Sequence, residues 1–150
     1  MAIAITVEAI YRDEADRLFA EAIQLSELKQ AMKRIARYSG LPDEEIREGA
    51  TYTADITLWG LVTTRGHVMH VERLDRAVRR IQSREHNPRV RRWDHTLTIE
   101  SHHKGALWRD HVVIDAGWQT PVTARMCRHV YCHRHKARHA LSLTSTLTRV

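Results

Sequence analysis

Cysteine is scarce in this chain of 150 residues: there are two, Cys127 and Cys132. Five positions apart in a predicted helix, their Cα atoms lie beyond the roughly 7 Å that a disulfide tolerates. They read as reduced thiols, which excludes a disulfide scaffold and suits a cytoplasmic protein. Long apolar runs are missing too, so no segment approaches the length of a membrane span. The first twelve residues lack a basic n-region and alternate like a strand, so they do not read as a signal peptide. No internal repeat and no second domain is visible. One domain of this length buries about 68 to 70% of its unfolded surface, enough for a core without staples.

Positive charge is abundant. The net charge is +6 at pH 7, supplied mostly by arginine. Such a balance permits binding to anions, nucleic acid or acidic lipid but establishes none of them. The densest group is Arg73, Arg76, Arg79, Arg80, Arg84, Arg89, Arg91 and Arg92. A nucleic-acid footprint needs a continuous face with stacking aromatics, whereas Arg79 and Arg80 point to opposite sides of a strand. Arginines on edge strands also block edge-to-edge pairing, a sufficient structural role. No nucleic-acid partner is expected.

Periodicity sets out the elements. Ile3, Ile5, Val7 and Ala9 predict a half-buried first strand. Asp13, with Asp16 three residues on, offers the cap of a short helix carrying Leu18, Phe19, Ala22 and Ile23. A second helix runs from a Ser26 cap through Leu28, Met32 and Ile35 and ends at Gly40 and Pro42. From Thr51 the period becomes two, with Tyr52, Ala54, Ile56 and Leu58 on one side. A Thr64-Arg65-Gly66 turn leads to a strand over His67 to Leu74 that points Met69 and Val71 inward. Another strand covers Val78 to Arg84, and Asn87-Pro88 marks a loop.

The segment Trp93 to Gly117 reads as a hairpin. Trp93, His95, Leu97 and Ile99 share one side of its first arm, and Trp108, Asp110, Val112 and Ile114 share the same side of its second. A turn centred on His102-His103 sets His95 opposite Asp110. A turn at Lys104-Gly105 moves the partners but keeps the faces matched. An apolar surface that carries a histidine and a carboxylate is either a satisfied core pair or the polar part of a pocket. Asp115-Ala116-Gly117 is a strand-to-helix corner.

Beyond Gly117, Thr120 is a candidate cap and Pro121 suits the first helical position. Trp118, Val122, Met126, Val130, His133, Ala137 and Leu141 then trace one face of a long amphipathic helix. Ser142 to Val150, rich in serine and threonine, is expected to be a frayed tail. Cys132, His135 and His139 share a helical face, a set that suits a tetrahedral metal with an open position. The interleaved Arg128, Arg134, Lys136 and Arg138 oppose a second cation, and the spacing matches no finger or metalloprotease motif. The expectation is a solvated basic face, with no metal and no cofactor.

The order is strand, two short helices, consecutive antiparallel strands, and one long terminal helix, an α+β chain. A curved sheet with an apolar inner face needs cover, and the terminal helix is the long amphipathic element available. On this order, the Trp93-Asp94-His95 strand, the Asp110 strand ending in Ile114-Asp115-Ala116-Gly117, and the closing helix, the chain resembles the START-like, or SRPBCC, superfamily of helix-grip domains. That superfamily includes polyketide cyclase/dehydrase-like proteins, lipid-transfer domains and the birch-pollen allergen (Bet v 1-like) family. The resemblance implies a sheet wrapped around the terminal helix, with a cavity between them for an apolar ligand. Carried onto this chain, it makes Tyr52, Ile56, Met69, Val71, Trp93, His95, Trp108 and Asp110 the sheet wall of that cavity. Met126 and Val130 form its helix wall, and His129 and His133 fall near the inward stripe.

Three functions follow. The first is binding of a small hydrophobic or aromatic, partly polar molecule, with His95 and Asp110 as polar anchor. The second is a cyclase or dehydratase in the same cavity, with His95 as base, Asp110 orienting it, and Tyr52 as proton donor. The third is a basic interaction protein with a filled interior. Self-association into a homo-oligomer stays open.

Overall fold

A computed structural model describes all 150 residues. The elements are β1 (Ile3–Tyr11), α1 (Ala15–Ala22), α2 (Leu25–Met32), β2 (Ala36–Ser39), β3 (Thr51–Leu58), β4 (Val62–Asp75), β5 (Arg80–Asn87), β6 (Val90–His102), β7 (Gly105–Asp115), α3 (Thr120–Ala137) and β8 (Ser142–Arg149). All eight strands lie in one antiparallel sheet in the order β2-β3-β4-β5-β6-β7-β1-β8. Strands β2 to β7 form a meander, and β1 then slots between β7 and the C-terminal β8. No helix is long and apolar enough to cross a membrane.

The alternation in β1 is complete: Ile3, Ile5, Val7, Ala9 and Tyr11 are buried and their neighbours are not. Each fully buried isoleucine or valine stabilises the fold by about 1.5–3 kcal/mol over leaving it in water. Helix α3 lies across β1 and β7 and also packs on α2, so the inner face of the sheet is covered from one side. Around Trp108 the core gathers Tyr11, Leu18, Ile23, Val71 and Ile99; a second cluster beneath α3 joins Ile5, Val7, Val112 and Ile114 to Ala124 and Cys127.

Several expected boundaries move. Helix α1 begins after Glu14 with no side-chain cap. Asp13 instead faces Arg17 at 3.8 Å and Asp16 takes Arg79 at 2.7 Å, so both carboxylates are drawn into ion pairs. Helix α2 stops at Met32, and Ser26 lies inside it. The stretch expected to continue it, Ala36–Ser39, pairs with β3 as an edge strand, because Ala36 and Tyr38 find apolar neighbours there. The β3–β4 reversal is at Trp59-Gly60-Leu61, whereas Arg65-Gly66 is a bulge within β4. Gly66 adopts φ +65°, and its N–H donates to Asp55 Oδ1 at 2.9 Å. Strand β5 starts at Arg80, since Asp75 Oδ1 accepts from the N–H groups of Ala77 and Val78 and closes a turn there. This arginine-rich strand is interior, not an edge. Its charges form an outer-face ladder in which Arg84 meets Glu72 at 2.7 Å and Asp94 at 3.0 Å.

The C-terminal segment departs most from expectation. Ser142–Arg149 is no tail: it pairs with β1 along its length, and Leu143 and Leu147 pack inward while Thr144, Thr146 and Thr148 face water. Threonine favours strands. The stripe assigned to the terminal helix is also rotated: Trp118 and Val122 are exposed, and the buried positions are Thr120, Ala124, Cys127, Arg134 and His135. The Thr120 hydroxyl accepts from the Ala116 N–H and donates to the Gly117 carbonyl, fixing the corner ahead of the helix rather than capping it.

Candidate functional site

Between the concave face of the sheet and α2 and α3 lies a cavity of about 570 Å³ that is partly open to solvent. Its lining is mostly hydrophobic, and the size falls within that of small-molecule sites. Of the ten residues the sequence pointed to, eight line it: Tyr52, Ile56, Met69, Val71, Trp93 and His95 from the sheet, and Met126 and Val130 from α3. Trp108 and Asp110 do not. Both are fully buried behind the wall, Trp108 in the core under the Arg134 guanidinium at 4.7 Å, and Asp110 behind His95.

The hairpin register explains the arrangement. The turn falls between the two anticipated positions, so His95 pairs across the strands with Val112 and Asp110 with Leu97. Because the two arms keep a common face, the side chains still meet diagonally, His95 Nε2 to Asp110 Oδ1 at 2.8 Å. The other carboxylate oxygen, Oδ2, is 3.0 Å from His135 Nε2, and His135 Nδ1 is 2.6 Å from the Tyr11 hydroxyl. Burial alone would raise the Asp110 carboxyl, but the hydrogen bonds from His135 and His95 outweigh it and hold the group well below the usual carboxylate range. An ionised carboxylate only accepts, so both histidines present Nε2–H to it. Burial pushes the Tyr11 phenol up, so it keeps its proton and donates to His135 Nδ1.

A second acid–histidine pair lines the cavity itself. Glu85 Oε2 accepts from His67 Nε2 at 2.8 Å and Oε1 from the Ser83 hydroxyl at 2.6 Å. Burial opposes its charge, yet these bonds and the nearby imidazoles hold it below its ordinary value. Asn87 fixes the His67 tautomer. Its Oδ1 accepts from the N–H groups of Arg89 and Val90, which turns Nδ2 towards His67 Nδ1 at 3.2 Å. His67 Nδ1 is therefore an acceptor and Nε2 carries the proton.

A third cluster joins the helices. Glu27 on α2 accepts from Arg134 and Arg138, each at 2.6 Å, and Arg138 also reaches Glu21. Burial opposes the Glu27 charge, but the two guanidinium groups prevail and lower it. Arg134 lines the cavity, and its Nε is buried without a partner. The basic face expected to be solvated is thus partly turned inward. Of the residues weighed as metal ligands, His135 is committed to Asp110, Cys132 is half-buried and His139 is exposed. His129 is exposed beside Trp59, with ring centres 6.0 Å apart.

Sequence reasoning missed His67, Glu85, Arg134, His135 and Tyr11. Three of these carried a signal: His67 shares parity with Met69 and Val71, Glu85 with Ile81, and Tyr11 with Val7 and Ala9. The other two, Arg134 and His135, depend on the rotation of α3, which local periodicity does not encode.

No known family model matches the chain, and no curated protein matches it in sequence. Similar solved structures do exist. Protein CV1439 from Chromobacterium violaceum superposes with a TM-score of 0.71 at 12% identity, over 89% of this chain and 93% of that one. TTHA0849 from Thermus thermophilus gives 0.68 at 13% identity, over 89% and 92%. Ara h 8.0201, a Bet v 1 homologue, gives 0.65 at 8% identity, over 91% and 97%. Identities this low speak to architecture alone, and the architecture is the helix-grip fold: a large curved antiparallel sheet, two short helices after the first strand, and a long helix near the C-terminus.

Proposed function

We propose that this chain binds a small hydrophobic or aromatic molecule in the cavity between the sheet and α3. The observation that carries this reading is the cavity of about 570 Å³, whose wall is largely apolar and includes His67, Glu85 and His95 as a polar group. Tyr52, Ile56, Met69, Val71, Trp93, Met126 and Val130 contact the apolar body, and His95 supplies a polar anchor oriented from behind by Asp110. The cytoplasm is the proposed compartment.

The test is thermal melting with calorimetry, using 1-ethylnaphthalene as a neutral probe. At 100 times its dissociation constant a ligand adds about 2.7 kcal/mol of stability, a rise of about 5–11 °C in Tm for a chain of this size. Filling the space with the double substitution Ile56→Trp and Met126→Trp abolishes the rise. A probe that leaves Tm and heat unchanged in the wild-type protein refutes the reading.

The fixed His95–Asp110 pair favours a second reading, a cyclase or dehydratase in which His95 takes a proton from bound substrate. It requires turnover that His95→Ala abolishes. Unchanged turnover in that variant eliminates His95 as base.

A further inference from the structure

Two acceptors of the protein face each other at the polar side of the cavity. Asp110 takes the Nε2–H of His95, so in the neutral ring Nδ1 is an acceptor. That nitrogen lies 3.9 Å from Glu85 Oε1, too far for a hydrogen bond. Glu85 is a carboxylate with capacity for about four hydrogen bonds. Ser83 and His67 fill two of these. Because Asn87 Nδ2 donates to His67 Nδ1, the contact from His67 to Glu85 is a single N–H hydrogen bond through Nε2. Both Glu85 and His95 line the cavity. Two acceptors at this separation, one of them a carboxylate, fit one group that carries two hydrogens, and the carboxylate favours a positively charged donor over a neutral one.

Resting on the ligand-binding reading above, we propose that the cavity takes an apolar amine. Its nitrogen sits about 2.9 Å from each acceptor, donating one N–H to Glu85 Oε1 and another to His95 Nδ1. The apolar body runs along Trp93, Tyr131 and Met69 towards α3. A hydroxyl has one hydrogen and satisfies only one of the two acceptors. A carboxylate adds a third negative group to a site that already holds Glu85 and Asp110.

The test compares four naphthalenes of matched size by calorimetry at pH 7: 2-(1-naphthyl)ethylamine, 2-(1-naphthyl)ethanol, 1-naphthylacetate and 1-ethylnaphthalene. Hydrogen bonds to a charged group correspond to about ten- to hundredfold in affinity, so the amine should bind tighter than ethylnaphthalene by that factor. Glu85→Gln should reduce the amine-to-ethylnaphthalene affinity ratio, measured within the variant, to about threefold or less, with a cooperative thermal melt showing that the variant is folded. Ethylnaphthalene binding with no gain for the amine overturns this inference and leaves the cavity reading intact. A preference that survives in Glu85→Gln also overturns it. Tightest binding of naphthylacetate places the polar anchor at Arg134 and overturns it as well. Binding of none of the four removes the ligand-binding reading and this inference together.

Discussion

Replacing Asp110 by alanine probes the buried chain that runs from Tyr11 through His135 to His95. The carboxylate is fully buried and accepts at 2.8 Å and 3.0 Å from two imidazoles, of which His135 has no contact with water. Its removal strands two N–H donors in the interior at about 1–3 kcal/mol each. The total falls near the 3–5 kcal/mol typical of breaking a buried charged network by losing one member. At about 2–4 °C per kcal/mol for a chain of this length, Tm drops by about 6–20 °C. Differential scanning calorimetry gives the value directly. Thr148→Ala on the exposed side of β8 serves as control, with an effect within about 0.5 kcal/mol. Tyr11→Phe alone costs about 1–3 kcal/mol, and its combination with Asp110→Ala costs less than the sum, since His135 loses its orientation in either single variant. A Tm for Asp110→Ala within about 2 °C of wild type, or strict additivity in the double variant, refutes the existence of the relay.

Three further outcomes follow from the structure. Gly105→Ala should destabilise by at least about 2 kcal/mol in a thermal melt, because φ is +139° and an added Cβ meets the Tyr11 carbonyl oxygen at 2.3 Å; an unchanged Tm contradicts the β1–β7 register at that corner. In the native protein a chromogenic disulfide reagent should titrate Cys132 quickly and Cys127 roughly a hundredfold more slowly, since Cys127 is fully buried and burial pushes its thiol up; two equally fast thiols place α3 differently. Asp110, Glu85 and Glu27 have folded values below their ordinary 3.8 and 4.5, so the stability they contribute is complete above those values and is lost as pH falls below them. Urea midpoints should therefore decline below about pH 4.5, less steeply below pH 3.8 in Asp110→Ala, and a flat profile from pH 5 to 3 contradicts the assignment.

The fold was legible where burial follows a simple period. Strand β1, the inward pair Met69 and Val71, and the common face of the Trp93–Gly117 hairpin could be read directly, and the common face survived an error in the turn position because side-chain parity tolerates a shift of two. The hairpin register itself was not legible, since it depends on Gly105 passing close to Tyr11 in a distant strand. Helix α3 misled for a different reason. The apolar stripe from Trp118, just ahead of it, through Val122 and Met126 to Val130 rims and lines the cavity, whereas its packed side holds small or polar residues, Thr120, Ala124, Cys127 and His135, that suit close approach to β1 and β7. Hydrophobic periodicity therefore found the helix and its cavity side but not the side packed on the sheet. Strand β8 was lost because its apolar content is only Leu143 and Leu147; the alternating threonines were the available signal. Within the site, His95 and Asp110 were found by parity, and the groups that orient them came from elements whose neighbours only the tertiary structure supplies.

Methionine methyl NMR tests the central claim most directly. Met32, Met69 and Met126 line the cavity from α2, β4 and α3, and Met1 lies exposed at the chain terminus. Titration with 1-ethylnaphthalene should shift the three cavity methyl signals along one saturation curve and leave Met1 unmoved. Three static cavity signals, or shifts shared equally with Met1, contradict a ligand site between the sheet and the terminal helix.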